Sequence, residues 1–413
     1  MAVSTPAQIS SLAATKNRCE ISTNLLSLSV NAIKPAGIGP VERNFAMVAL
    51  GVLLHAIGGF AAGSFYIPFK KVRNWAWESY WLAGGAFSWI LAPWVVALLV
   101  VPQLFSVLAE SPPAAIFWTY IFGVLWGIGG LTFGLSMRYL GMSLGYAIAL
   151  GFCAAFGTII PPIFKGEFAD LLAHTSGRVT LAGIFICLVG IAICGWAGVS
   201  KEKEMPEEKK KEAIKEFNFA KGIWVAIFAG IMSACMIFGI EAGEPIADLA
   251  FGKNSTSLWK ISPIYIFVLA GGFTTNFLWC VYLNIKNRTA KDYLNRQKSP
   301  LISNYFFSAL AGITWYLQFM FFGMGKTRMG DYDFSSWTIH MAFIIVFSNI
   351  WALVFREWKG SSKRTHRIII LGILVLVASI CVVGCGNYLK KVENQTQDPV
   401  AQSVRVTGAA RSQ

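Results

Sequence analysis

Charge is scarce in this sequence of 413 residues. Asp, Glu, Lys and Arg together make up 14%, against about 25% in an ordinary soluble domain. Acidic residues are the scarcer sign, 21 against 35 Lys and Arg, and there are four His. The eight Cys form no CxxC pair, which removes the usual spacing of zinc and dithiol redox sites. Seven of them, Cys153, Cys187, Cys194, Cys235, Cys280, Cys381 and Cys385, fall inside apolar runs and read as small packing residues. Neither HExxH nor DxxD occurs, so the spacing points to no metal, no cofactor and no enzyme. GIGG at 127–130 resembles half of a dinucleotide fingerprint, yet it sits in an apolar helical run with no strand before it.

What is abundant is apolar surface. Hydrophobic residues make up 55% of the chain, and the mean hydropathy is +0.56. A soluble core cannot absorb that much, so the lipid bilayer is the implied solvent. A helix rises about 1.5 Å per residue, so about 20 apolar residues cross the roughly 30 Å hydrocarbon layer. Ten stretches meet that test: Phe45 to Ile67, Tyr80 to Val101, Ala115 to Met137, Met142 to Ile163, Val179 to Val199, Phe219 to Ile240, Pro263 to Ile285, Asn304 to Met324, Trp337 to Phe355 and Ile368 to Leu389. The expected fold class is therefore an all-α integral membrane protein of about ten transmembrane helices.

The net charge of +14 could suggest nucleic acid, but such a domain gathers its Lys and Arg on one solvated face. Here they lie in short loops. The odd-numbered loops hold more than three times as many Lys and Arg as the even-numbered ones. Cytoplasmic loops keep that excess, which predicts cytoplasmic odd loops and external termini. The fifth loop, 200–218, is a mixed-charge tether that divides the spans five and five. An odd number of spans in each half makes the second half enter the membrane in the opposite sense, the inverted repeat of many secondary transporters. Gly123-Val-Leu-Trp126 ahead of Arg138 and Gly141 is echoed by Gly312-Ile-Thr-Trp315 ahead of Arg328 and Gly330. The expected organisation is a disordered extension over 1–44, five-helix repeats over 45–199 and 219–389, and an exposed tail over 390–413. Residues 1–44 have neither signal-peptide nor span character, so the functional chain is expected to begin near Met47.

Ionisable groups are costly near the bilayer centre, roughly 3 kcal/mol on insertion scales, and are functional candidates by default. His55, deep in the first span, ordinarily titrates near pH 6.5 and reads either as a proton-coupling group or as an interhelical hydrogen bond. His340, early in the ninth span, reads as interfacial or functional, and Glu241 and Glu244 read as solvated helix-end carboxylates or a proton-entry site. Asn276, Gln318, Thr274, Thr275 and Thr314 complete the polar set within the spans. A sugar needs amide or hydroxyl partners and an aromatic face, and Trp315, Tyr316 and Gln318 could supply both, as could belt aromatics and one buried hydrogen bond.

Five long collinear stretches carry a family resemblance: GSFYIPFKKVRNWAWES at 63–79, GVLWGIGGLTFGLSMRYLGMSLG at 123–145, GEFADLLAHTSGRVTLAGI at 166–184, WYLQFMFFGMG at 315–325 and YDFSSWTIHMAF at 332–343. In these the chain resembles the L-rhamnose-proton symporters of the drug/metabolite transporter superfamily, over approximately residues 47–388. The resemblance implies two five-helix repeats and uptake of L-rhamnose driven by protons across the bacterial inner membrane. Its partners would be L-rhamnose, protons and the lipid bilayer, with no nucleic acid and no cofactor. Another neutral sugar or metabolite is the alternative cargo. His55, Asn276, Gln318 and His340 match positions of the family, whereas Glu241 stands where the resemblance leads one to expect a neutral amide. A small multidrug exporter would need a carboxylate in the first span, and a channel would need a charged ring or a carbonyl filter; the sequence has neither.

Overall fold

Inside a bilayer every backbone N–H and C=O must be satisfied within the protein, and the chain does so by helices. The computed structural model describes residues 40–140, 142–204, 218–295, 297 and 299–397; among these there is no strand. The long helices are α1 (Pro40–Ser64), α2 (Trp77–Val100), α3 (Pro113–Leu140), α4 (Met142–Phe164), α5 (Thr175–Glu204), α6 (Phe219–Ala242), α7 (Ser262–Asn287), α8 (Leu301–Met329), α9 (Ser336–Val354) and α10 (Lys363–Gln397). Among the described residues, nine apolar stretches are long enough to cross a membrane, and the stretch Leu301–Val354 contains both α8 and α9. Gly330 separates that pair: its φ of +76° is open to glycine at little cost and ends α8.

Several ends differ from the expectation. α10 continues to Gln397, past the expected tail boundary at 390, because the Lys391 ammonium donates to the Arg328 carbonyl (2.8 Å) and the Asn394 amide donates to Asp331 (2.5 Å). α5 runs to Glu204, whose carboxylate accepts from Ser362 and Thr365 ahead of and within the start of α10. The remainder of the expected fifth loop, the extension before Pro40 and the tail beyond Gln397 lie outside the described residues.

Outward faces carry large apolar side chains such as Leu99, Phe185, Trp224 and Ile285. Polar groups turn inward, with His55, Thr119, Ser136, Asn276, Gln318 and His340 all buried. Small residues let the helices meet closely. A Cβ on Gly123 of α3 would overlap the Val268 carbonyl of α7, and one on Gly312 of α8 would overlap the Gly84 carbonyl of α2. α1 packs on α8 and α9 through Gly51, Gly58, Gly59 and Gly63. α6 packs on α3 and α4 through Gly222, Gly230 and Gly239.

α5 and α10 form an antiparallel pair with a regular register. Thr180 faces Gly386, Gly183 faces Val383, Cys187 faces Ser379, Gly190 faces Leu376 and Cys194 faces Gly372. The steps alternate between three and four residues, the spacing of a coiled-coil seam. α1, α4, α6, α8 and α9 meet one another where polar side chains collect.

Candidate functional site

α8 organises the site. Gln318, Phe322 and Lys326 recur every four residues, so they lie on one face of the helix, and all three are buried. The Phe322 ring is the hub: its centroid lies 5.5 Å from His55 on α1, 5.2 Å from His340 on α9 and 5.5 Å from Trp337 on α9. The two imidazoles are 6.1 Å apart, edge to face. Gly58 and Gly325 make this possible. A Cβ on Gly325 would stand 2.7 Å from the His55 ring, and one on Gly58 would stand 3.1 Å from His340 Cε1 and from the Gln318 carbonyl. The ring nitrogens of both histidines and Nε2 of Gln318 are buried without a protein hydrogen-bond partner of ordinary geometry. Such groups are costly to leave unpaired and suit a ligand or proton that supplies the missing partner.

One helical turn further along α8 the stripe becomes ionic. The Lys326 ammonium, 3% exposed, lies 2.9 Å from a Glu241 oxygen on α6 and also pairs with Asp333 in the turn before α9. Glu241 binds in addition to Lys165, just past α4, at 2.5 Å, and Lys165 reaches Glu244 at 3.4 Å. Glu241 is thus no solvated helix end: its side chain is 12% exposed and held between two lysines. Trp337 closes the adjoining α4–α9 contact by donating its N–H to the Cys153 carbonyl (3.1 Å), with Thr158 and Thr338 paired at 2.7 Å beside it.

The other sequence candidates divide among three places. Trp315 borders a crevice between α2 and α8 that Phe65, Trp81, Ser88, Trp89 and Gly312 also line, with the Phe65 ring 4.2 Å from its own. α2 opens into a wider π-helical turn over Ala86–Leu91 at this crevice, a feature common at functional sites. The indole N–H groups of Trp89 and Trp315 and the Ser88 hydroxyl are buried there without partners. Asn276 on α7 is satisfied: its amide donates to the Gly272 carbonyl (2.9 Å) and its oxygen accepts from the Trp81 indole (3.1 Å). It therefore holds a wall of the crevice. Tyr316 faces Tyr265 instead, with ring centroids 6.5 Å apart, and Thr274, Thr275 and Thr314 each donate to a helix carbonyl.

Sequence reasoning missed Lys326, Asp333 and Lys165, because charges at span ends read as loop residues. The four-residue spacing from Gln318 was the available signal for Lys326. It also missed Ser88, Trp81 and Trp89, whose positions depend on the wide turn of α2. The Gly141-Met-Ser-Leu-Gly145 string has the G-x-S-x-G spacing of a hydrolase nucleophile, a motif that needs a strand-to-helix turn. Here Met142 to Gly145 are the first residues of α4 and no strand precedes them among the described residues.

At the opposite end of the bundle a second polar set ties α2 to the segment after α7. Glu78 accepts from Asn287 (3.0 Å) and Thr289 (2.8 Å), Asp292 accepts from Ser79 (2.9 Å) and the Ala76 N–H (2.8 Å), and the Asn304 amide bridges the Arg73 backbone. The site is therefore held between polar ties at both ends.

The family model for the L-rhamnose-proton symport protein (RhaT) matches residues 44–388. This chain belongs to the L-rhamnose-proton symport protein family. An L-rhamnose-proton symporter of Yersinia pestis (strain Pestoides F) is 38% identical over 342 residues, covering 82% of this chain and 98% of the relative. The L-rhamnose-proton symporter of Cronobacter sakazakii (strain ATCC BAA-894) is similar to the same extent. Membership makes the chain a multi-pass membrane transporter, and the symport family's span takes in α2 to α9 whole, with most of α1 and α10.

Proposed function

We propose that this protein carries L-rhamnose together with protons across the bacterial inner membrane by alternating access. The observation that carries the reading is the pair of buried imidazoles on Phe322, with both ring nitrogens of His55 left without a partner, at the heart of an apolar bundle whose family is defined by proton-driven rhamnose transport. His55, His340 and Glu241 are the proton-coupling groups of this reading. The sugar meets the α2–α8 crevice, where Trp315 offers a ring face, Trp89 and Ser88 offer hydrogen-bonding groups and Asn276 holds Trp81 in the wall, while Gln318 offers its amide from the histidine side of α8 and Tyr316 packs behind against Tyr265.

Ten crossings in two inverted repeats form part of this proposal, as does membership of the drug/metabolite transporter superfamily. A continuous helix over the 54 residues of Leu301–Val354 would be about 80 Å long, far more than the bilayer's hydrocarbon, and the break at Gly330 supports reading it as two crossings. Packing supports the repeat. Exchanging the halves turns the Gly123 contact of α3 on α7 into the Gly312 contact of α8 on α2, and turns α1 on α8 and α9 into α6 on α3 and α4. The α5–α10 seam maps onto itself under the same exchange.

Labelled L-rhamnose uptake by cells expressing the full chain tests the function. Accumulation should collapse with a protonophore. L-fucose, L-mannose and L-lyxose in excess should compete poorly; preferential inhibition by one of them would reassign the cargo to that sugar.

A further inference from the structure

Glu241 occupies an unusual place in its charge cluster. Two lysines and three carboxylates are gathered there, and Glu241 is the one carboxylate shared by both lysines. Each lysine has a second carboxylate of its own, Asp333 for Lys326 and Glu244 for Lys165. A purely structural tie needs no such duplication. Removing one partner of a buried pair ordinarily strands the other charge. Here, neutralising Glu241 strands neither lysine, and it leaves two cations matched by two carboxylates. The cluster is therefore built so that one proton, placed on Glu241, brings it to charge balance.

We propose that Glu241 binds the symported proton and works as a proton-operated latch, with Lys326 and Lys165 as the groups from which the proton releases it. This inference rests on the reading as a proton symporter, and on the loop charges that put this end of the bundle outside. With Glu241 ionised, the latch ties α6 to α8 through Lys326 and to the end of α4 through Lys165, fastening the second half of the chain to the first. A proton arriving from outside competes with both ammonium groups for the same carboxylate oxygens, and the tie opens. The titratable and charged groups facing Glu241 are Lys165 after α4, Lys326 on α8, Asp333 in the turn before α9 and Glu244 one turn beyond it. The next titratable groups inward are His55 on α1, which packs on Gly325 beside Lys326, and His340 on α9 behind it. Closing the latch again requires the proton to leave Glu241, and the histidine pair lies in its path.

The test uses the full chain and two readouts. In cells, Glu241→Gln should lose accumulation and show uptake that varies less than the parent's between about pH 5.5 and 8, while rhamnose counterflow persists. Lys326→Met should move the pH midpoint of uptake upward by about one unit, because a competitor of the proton is gone, and Lys326→Arg should leave it in place. A strut without a coupling role would not move that midpoint. The second readout needs no sugar: the melting temperature of the purified parent should fall in acid as Glu241 and the other paired carboxylates are neutralised, and that fall should be smaller in Glu241→Gln by the share that Glu241 contributes. Accumulation and melting in Glu241→Gln that both follow the parental pH course would overturn the latch. A parent that melts as expected but does not accumulate rhamnose would overturn the cargo reading and leave the latch standing.

Discussion

His55 shows how little separates a structural side chain from a functional one. Its ring is fully buried, lies against Phe322 and Gly325, and has both nitrogens unpaired. A histidine kept only for packing would be expected to spend at least one nitrogen on a neighbour. Replacing His55 by Gln keeps a hydrogen-bonding group and removes the titration, so gradient-driven accumulation should fail while rhamnose exchange persists. Parental accumulation by His55→Gln across external pH would make the residue structural. The glycines permit an equally direct comparison. Gly123→Ala and Gly312→Ala put a methyl group onto a backbone carbonyl of the facing helix, whereas nothing lies within 4 Å of a Cβ on Gly130. Overpacking typically costs about 1–3 kcal/mol. The first two variants should therefore melt several degrees below the parent in detergent and Gly130→Ala should not; three equal melting temperatures would refute these close contacts.

Two elements illustrate different kinds of helix contact. The α5–α10 seam alternates three- and four-residue steps, with glycines on both helices letting the two approach closely. Changing Ser379 to Cys sets a thiol opposite Cys187, within reach of a disulfide. Oxidation should then cross-link the protein within one chain and leave transport at about its former rate if the proposed repeats rock about a fixed α5–α10 seam. Transport blocked by the cross-link and restored by reduction would show that the seam moves. α8 is the contrasting case. It presents Gln318, Phe322 and Lys326 to the histidines and Glu241, while Trp315 looks onto the α2 crevice. Of this stripe Gln318 was legible, as a polar residue inside an apolar run. Lys326 was not, because a charge two residues beyond an apolar run reads as the start of a loop, and only its burial against carboxylates 85 residues away and 7 residues ahead keeps it helical and inside.

For the whole molecule, the charge of the loops predicts that a cytoplasmic reporter fused after Lys210 is active and that a periplasmic phosphatase at the same point is not; the opposite result would invert the sidedness of every site described above. Much of the architecture was written locally. Apolar run length reflects bilayer thickness directly, so the all-helical, multi-span character was legible from the sequence, although among the described residues the apolar stretches number nine, with α8 and α9 inside one of them. The same local logic identified His55, Gln318, Asn276 and His340 as polar residues in an apolar medium, and the collinear motifs identified the family. What the sequence could not carry was partnership. Asn276 reads as an open polar group until its amide is seen holding the Gly272 carbonyl and the Trp81 indole. Glu241 reads as a solvated helix end until Lys165, 76 positions earlier, and Lys326 are found on either side of it. The sequence by itself determined the solvent, the helices and the family, because each depends on composition and order along one stretch of chain. Only the tertiary structure decided which polar groups are paired and which are left open, because that depends on side chains brought together from distant helices.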